Sequence, residues 1–290
     1  MAVLLALLGI AGCGSDDDSG PDQRGLAFGG ALYISVGGDG GVWTSDDGRS
    51  WEGRGSFSDG FLNAVSFGAE RFVAVGSGGA IIHSADGIDW ESAEVPTEVE
   101  LNGVGRSPQH FVAVGDGGVI LVSDQGRRWE RTDSGVSDDL LAITWAAGIW
   151  VAVGNGGLVL TSPDSRNWTG QQPVLDVDLK AVTHGGGYFL AVGTLGSAVR
   201  SPDGLSWEDV SIIGVPALNA AVFGQGIFVV VGDEATLYTS VDGFQYFPGS
   251  LGANVDLDAL VFAQGTFTGT GAGGSHRQSR DGRSWFGGRF

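Results

Sequence analysis

The sequence has very few of the residues from which many functional sites are built. Its 290 residues include one cysteine, one lysine and four histidines. A single cysteine, Cys13, excludes an intramolecular disulfide. With one lysine and a formal net charge of −19, the chain offers no basic stripe to a phosphate backbone, so we expect no nucleic-acid partner. The apolar run at residues 1–12 is too short to span a bilayer as a stable anchor.

What the chain contains instead is a repeat. One aromatic residue closes each copy, and every step between neighbouring copies is 39 residues, without insertion or deletion. These aromatic residues are Trp51, Trp90, Trp129, Trp168, Trp207, Tyr246 and Trp285. Seven such copies fill residues 18–290, so the repeat indicates a structural unit.

The most regular part of each copy reads Ser-x-Asp-Gly-x-x-Trp. An aspartate can accept hydrogen bonds from nearby backbone N–H groups, and glycine takes a positive φ at little cost, so the motif predicts a tight turn. Two copies deviate: the third has Asp124 followed by Gln125, and the fourth has Ser165 in place of glycine. The acidic residues, one per copy, are predicted to be structural and too far apart to converge on a substrate or a metal: Asp47, Asp86, Asp124, Asp164, Asp203, Asp242 and Asp281.

The rest of each copy has the length and composition of β-strands. In the second copy, residues 62–67, 72–75, 80–84 and 90–92 read as four strands joined by short glycine-rich turns. A four-stranded sheet that is apolar on both faces is stable only when it is stacked on its neighbours. The sequence therefore predicts an all-β fold, a seven-bladed β-propeller of four-stranded antiparallel blades. The first strand should line the central channel, and the ring should close blade against blade.

The turn motif resembles that of the Asp-box, or bacterial neuraminidase repeat, β-propellers. More specifically, the chain is similar to bacterial relatives of photosystem II assembly factors over residues 25–290. Thr44, Asp46, Gly48 and Trp51 match the usual Ser/Thr-x-Asp-x-Gly-x-x-Trp pattern, whereas most other copies place the aspartate one residue later. The resemblance implies the fold but no activity, because sialidases, glycosidases, sorting receptors and assembly factors share this turn. The assembly factors among them suggest a protein partner.

The N-terminal residues predict export. Ile10-Ala11-Gly12-Cys13 resembles the bacterial lipobox, which implies cleavage before Cys13 and attachment of lipid to it. We therefore expect a signal peptide at 1–12, an acidic and Gly/Ser-containing tether at 13–24, and the propeller at 25–290. Because glycine and not aspartate follows Cys13, the outer membrane or cell surface is favoured. The alternative is a buried N-terminal strand with an ordinary cysteine.

Enzymatic functions find little support. A sialidase needs three convergent arginines, but Arg49, Arg127, Arg166 and Arg283 share one position in the turn, on the outer rim. The four histidines occupy four different positions of the repeat, so neither a metal site nor a Ser-His-Asp set is predicted. No cofactor is predicted either. A glycoside hydrolase remains as an alternative, because loops on the face opposite the turns carry many carboxylates: Asp59, Glu98, Glu100, Asp138, Asp139, Asp176, Asp178, Asp256 and Asp258.

Equal blade lengths favour a binding platform, since enzymes on propellers commonly build their sites from long loops. The best place for a ligand is the channel mouth, where the residue after the leucine of each first strand is polar in six copies: Arg24, Asn63, Asn102, Lys180, Asn219 and Asp258, with Leu141 as the exception. Four residues further on, most copies carry an aromatic residue, which either supports a ligand or packs between blades. We expect a monomer that binds a protein or a cell-envelope glycan.

Overall fold

The computed structural model describes residues 21–252 and 255–289, so Cys13 and the predicted signal peptide lie outside the described residues. Within them the chain forms seven four-stranded antiparallel sheets, each built from four consecutive strands. This confirms the seven-bladed β-propeller. The first strand begins at Gln23, two residues before the expected start of the propeller.

The strands follow the repeat closely. Blade 1 consists of β1 (Gln23–Gly29), β2 (Leu32–Gly37), β3 (Gly41–Ser45) and β4 (Glu52–Ser56), and blade 2 of β5 (Leu62–Gly68), β6 (Arg71–Gly76), β7 (Ile81–Ser84) and β8 (Glu91–Ser92). Blade 3 consists of β9 (Leu101–Arg106), β10 (Phe111–Gly115), β11 (Ile120–Ser123) and β12 (Glu130–Thr132), and blade 4 of β13 (Leu140–Ala146), β14 (Ile149–Gly154), β15 (Val159–Ser162) and β16 (Thr169–Gly170).

The remaining blades repeat this order. Blade 5 consists of β17 (Leu179–Gly185), β18 (Tyr188–Gly193), β19 (Ala198–Ser201) and β20 (Glu208–Asp209), and blade 6 of β21 (Leu218–Gly224), β22 (Ile227–Gly232), β23 (Leu237–Ser240) and β24 (Phe247–Pro248). Blade 7 consists of β25 (Ala259–Ala263), β26 (Thr266–Gly271), β27 (Ser275–Ser279) and β28 (Phe286–Arg289). In six blades a three-residue 3-10 turn joins the second and third strands: Gly38–Gly40, Ser77–Gly79, Asp116–Gly118, Asn155–Gly157, Thr194–Gly196 and Ala272–Gly274.

These connections define two faces of the ring. The mouth face carries the loops that enter each first strand and the turns between second and third strands. The box face carries the Ser-x-Asp-Gly turns between third and fourth strands and the hairpins between first and second strands. No helix in the described residues is long and apolar enough to cross a bilayer.

The core lies between blades. Val112, Ala113 and Val114 of β10 are completely buried, because neighbouring blades cover both faces of the second strand. This explains the continuous apolar run of these strands, which contrasts with the alternating pattern of a sheet with one wet face. Apolar clusters join each consecutive pair of blades from 1 and 2 to 6 and 7.

The contact between blades 7 and 1, where β25 lies against β1, has a different composition. Ser35 of blade 1 and Thr268, Thr270 and Gln278 of blade 7 are buried polar residues. Gln278 Nε2 donates to the carbonyl oxygen of Asp47 at 2.7 Å. Hydrogen bonds therefore help to close the ring.

The aromatic residues near the ends of the first strands pack between blades. A Cβ added to Gly29 would lie 2.0 Å from the ring of Phe67 in the next blade, and one added to Gly185 would meet Phe223 in the same way. Only glycine permits so close an approach. Phe67 also contacts Phe72 of its own blade, with 4.6 Å between ring centroids. These side chains hold neighbouring blades together.

Candidate functional site

The turns on the box face are built around one carboxylate oxygen. In blade 5, Asp203 Oδ1 accepts hydrogen bonds from the backbone N–H of Leu205 at 2.9 Å and of Ser206 at 2.8 Å, and from Ser201 Oγ at 3.1 Å. These bonds, the one from Ser206 first, lower the pKa of Asp203. The equivalent aspartates accept the same two backbone N–H groups: Asp47, Asp86, Asp164, Asp242 and Asp281. Each of these carboxylates serves its own turn.

The aromatic residue that closes the turn also makes a polar contact. Trp207 Nε1 donates to the carbonyl oxygen of Gly204 at 2.9 Å. In blade 6 the hydroxyl of Tyr246 donates to the equivalent carbonyl of Gly243 at 3.0 Å. A tyrosine can replace the tryptophan because its hydroxyl supplies the same donor, and burial raises the pKa of Tyr246.

The two deviant copies behave differently from each other. In blade 4, Ser165 adopts φ 66°, the left-handed conformation that glycine adopts elsewhere, and its hydroxyl lies 3.0 Å from His110 Nδ1 of blade 3. In blade 3, Asp124 stands one position before the other turn carboxylates and lies 3.6 Å from His110 Nε2. Ser123 Oγ still accepts the N–H of Gly126 at 2.8 Å, so this turn keeps its hydroxyl-to-backbone bond.

The predicted mouth residues come together around the channel. A cavity of about 190 Å³ opens at the mouth face and is lined by the first strands of all seven blades. Its lining includes all seven residues of what we call the mouth ring: Arg24, Asn63, Asn102, Leu141, Lys180, Asn219 and Asp258.

Hydrogen bonds within the mouth ring also connect neighbouring blades. Arg24 Nη1 donates to Asn63 Oδ1 at 2.9 Å, and Lys180 Nζ donates to Asn219 Oδ1 at 2.9 Å. Asn102 Nδ2 donates to the carbonyl oxygen of Leu140 in the next blade at 3.1 Å. These hydrogen bonds hold the side chains of the mouth ring in place. The ring carries cations at blades 1 and 5, Arg24 and Lys180, and a carboxylate at blade 7, Asp258.

The most perturbed group of the mouth ring is Asp258. Burial, reinforced by the nearby carboxylates of Asp233 and Asp256, raises the pKa of Asp258 to about 6. Asn219 Nδ2 donates to Asp233 Oδ1 at 2.7 Å and to Asp258 Oδ1 at 3.1 Å, so these two carboxylate oxygens are no more than about 6 Å apart. Sequence reasoning missed Asp233, because it lies in a turn of blade 6 and not on a first strand or in a loop that enters one.

Several other acidic residues of the mouth face bind the backbone. Asp139 Oδ1 accepts the N–H of Gly117 at 2.8 Å, and Asp178 Oδ1 accepts the N–H of Gly156 at 3.0 Å. In both cases a loop that enters a first strand caps the 3-10 turn of the preceding blade. Glu100 accepts from Ser77 Oγ in the same region. These contacts give the carboxylates a structural use.

Two other features bear on the choice of site. A second cavity, about 630 Å³, lies on the outer rim between blades 7 and 1 and is lined in part by Arg49, His276, Gln278 and Phe286. There the side-chain amide of Gln278 joins blades 7 and 1, and its Oε1 also accepts a hydrogen bond from Arg49 Nε at 2.7 Å. Because these polar groups already serve to close the ring, we favour the channel mouth as the ligand site. Over residues 21–252 and 255–289, no group of three or more His, Cys, Asp or Glu side chains is placed to hold a metal ion.

Comparison with known proteins supports the architecture. Neither the protein-family models nor the curated proteins gave a match. Among solved structures, the chain is similar to YCF48 from Cyanidioschyzon merolae, with 17% identity, a TM-score of 0.69 and coverage of 88% of this chain and 94% of that one. It is similar to a structure described as YCF48 bound to D1 peptide, with 17% identity, a TM-score of 0.73 and coverage of 90% and 92%. A computationally designed protein, Ika8, is similar at 14% identity, a TM-score of 0.65 and coverage of 89% and 96%. At these identities the likeness shows the fold, a β-propeller that YCF48 shares.

Proposed function

We propose that this protein is a non-catalytic platform that binds another protein through the mouth face of the propeller. The observation that carries the proposal is the mouth ring, whose six polar side chains lie together at the mouth of the channel. Their charges differ from blade to blade while the backbone repeats, and such asymmetry is what recognition of one ligand in one orientation requires.

The comparison with YCF48 is consistent with this proposal. One of the similar propellers is described as bound to a peptide, and a propeller of equal blades can present such a surface without long loops. A cell-envelope glycan is the other partner that the mouth ring suits, because amide and charged groups beside a cavity also bind sugar hydroxyls. The N-terminal motif adds a location to the proposal: an exported lipoprotein held to the outer membrane or cell surface through lipid on Cys13.

The proposal is tested by crosslinking and pull-down from intact cells, beside a glycan array. The wild type is compared with a variant that carries Asn63→Ala, Lys180→Ala and Asp258→Ala, and with Arg127→Ala on the box face as a matched surface control. We expect the mouth variant to lose a protein partner that the control keeps. If the mouth variant melts like the wild type and keeps every partner, the mouth is not the binding site. If only the glycan array responds to the variant, the partner is a glycan.

One observation favours a second function, an exported glycoside hydrolase. Asp258, whose pKa is raised, lies within about 6 Å of a second carboxylate, Asp233, and glycoside hydrolases use two carboxyl groups a short distance apart, one of them with a raised pKa as the acid. A panel of polysaccharides tests this reading directly. Cleavage by the wild type that Asp258→Asn and Asp233→Asn each abolish, with no loss of melting temperature, would establish a hydrolase and displace the platform.

A further inference from the structure

The mouth face has an exposed apolar patch on blade 5. Leu195, in the 3-10 turn Thr194–Gly196, is 76% exposed, and Ile213, in the loop from blade 5 to blade 6, is 90% exposed. Ile212 N donates to the carbonyl oxygen of Gly196 at 2.8 Å, so the loop and the turn lie side by side. On the other side of the turn, Thr194 N donates to Asp178 O at 3.0 Å, in the loop that enters blade 5.

Leu195 is an unfavourable residue for its position. It adopts φ 57°, in the left-handed region where an L side chain is strained. Four of the other 3-10 turns place glycine there: Gly78, Gly117, Gly156 and Gly273. Burial does not offset the strain, because most of the leucine side chain faces water. A residue that costs stability and gains no packing within the fold indicates a use outside it.

The charge around the patch selects the partner. The loops that enter the first strands, and the turns between second and third strands, contain no lysine or arginine from residue 38 to residue 252. The same segments carry acidic residues on both sides of the patch, among them Asp176, Asp178 and Asp233. A second copy of this chain, at a net charge of −19, and an anionic membrane would both be repelled. A basic protein surface would be attracted.

We propose that Leu195 and Ile213 form the apolar centre of a docking surface for a protein segment that carries aliphatic side chains flanked by lysine or arginine. The segment's aliphatic groups pack on the patch, and its cations face the carboxylates of the surrounding loops. This inference rests on the proposed function, since it specifies the chemistry of the partner that the mouth face binds.

The test uses short fluorescent peptides and fluorescence polarisation on the folded, full-length protein. One peptide combines leucine and lysine, a second replaces leucine by serine, and a third replaces lysine by glutamate. We expect the leucine-lysine peptide to bind most tightly, with an affinity that falls as salt is added. Loss of one aliphatic contact in Leu195→Gly or Ile213→Ser should weaken it by about tenfold.

Leu195→Gly separates binding from stability. Glycine removes the strain along with the side chain, so this variant should melt no lower than the wild type while it binds less well. Phe247→Ser, which removes a 52% exposed apolar side chain from the outer edge of blade 6, is the matched control and should bind like the wild type. Equal affinity of Leu195→Gly and wild type, or equal binding of the leucine-lysine and serine-lysine peptides, overturns the inference.

The remaining outcomes distinguish this inference from the proposed function. If the mouth variant in Asn63, Lys180 and Asp258 loses its cellular partner while Leu195→Gly keeps it, the platform stands and the patch is not part of it. Sedimentation that shows self-association of the wild type but not of Leu195→Gly would identify a second copy as the occupant. Binding to anionic vesicles that depends on Leu195 would identify a lipid surface, and either result overturns the proposed partner.

Discussion

The side-chain amide of Gln278 in blade 7 donates a 2.7 Å hydrogen bond to the backbone carbonyl of Asp47 in blade 1. The oxygen of the same amide group accepts a hydrogen bond from Arg49 Nε at 2.7 Å. Gln278 is buried and occupies the position at which blade 3 has an apolar residue, Val122. The ends of the ring are therefore joined by a polar contact, at the one pair of neighbouring blades that no apolar cluster of buried residues spans in the described part of the chain.

We predict that Gln278→Met destabilises the protein by about 1–3 kcal/mol, because it keeps the volume of the buried side chain but removes its hydrogen bonds to Asp47, to Arg49 and to the buried hydroxyl of Thr268. The measurement is the free energy of unfolding in denaturant. Thr239→Val is the control at the equivalent position of blade 6 and should cost about 1 kcal/mol or less. Equal losses in the two variants would contradict a special role for Gln278.

A second prediction concerns the turns of the box face. Asp203→Ala removes the acceptor of two backbone N–H groups and should cost about 1–2 kcal/mol, as the loss of a helix N-cap does. Asp203→Asn keeps an acceptor oxygen and should cost less. Asp124→Ala is the control and should change the unfolding free energy by less than about 0.5 kcal/mol. A loss for Asp124→Ala as large as that for Asp203→Ala would contradict the role of these hydrogen bonds, since no backbone N–H bond to Asp124 corresponds to the two at Asp203 in the described part of the chain.

The same turns predict sensitivity to acid. Their hydrogen bonds lower the pKa of the turn aspartates, in Asp281 to about 2 from the usual 3.8. A carboxyl group whose pKa is lower in the folded protein than in the unfolded chain stabilises the fold at every pH above its unfolded-state pKa. This contribution is lost as the pH falls from the unfolded-state pKa through the folded-state pKa. We expect the unfolding free energy to drop between about pH 4 and pH 2, and the drop to be smaller in Asp281→Asn. An unchanged acid slope in that variant would contradict the assignment.

The opposite sign applies to Asp258. Because its pKa is raised to about 6 from the usual 3.8, the folded protein holds a proton that the unfolded chain has lost, and stability falls as pH rises between these values. Asp258→Asn should remove this fall and raise the unfolding free energy at pH 7 by about 1–2 kcal/mol, after allowance for solvent screening. Asp59→Asn changes the same charge at an exposed site on this face and should keep the wild-type slope. Identical slopes in both variants would count against a perturbed Asp258.

The N-terminal motif makes a prediction about location. Cys13→Ser should abolish lipid labelling and move the protein from the membrane fraction to the soluble fraction, because stable anchoring requires the acyl chains that this cysteine would carry. Fractionation and labelling with a radioactive fatty acid measure both effects. A Cys13→Ser protein that stays in the membrane fraction would contradict lipid anchoring.

The sequence by itself determined the architecture. A motif that returns every 39 residues fixes the number of blades, and the apolar runs between the motifs fix the number of strands in each, because stacked sheets buried on both faces require such runs. It also predicted that six polar residues far apart in the chain lie together at the channel mouth, because residues such as Arg24 and Asp258 occupy the same position in different copies of the repeat.

Only the tertiary structure decided how the copies differ in use. The periodic pattern treats all seven contacts between blades as equal, yet blade 7 meets blade 1 through buried polar side chains, and the bond from Gln278 to Asp47 joins residues 231 positions apart in the chain. The pairing of Asp233 with Asp258 joins residues of different blades and different positions in the repeat, so no pattern within one copy contains it. The exposure and strain of Leu195 depend on backbone angles and on the loops beside it, which the position of a leucine in the repeat does not reveal.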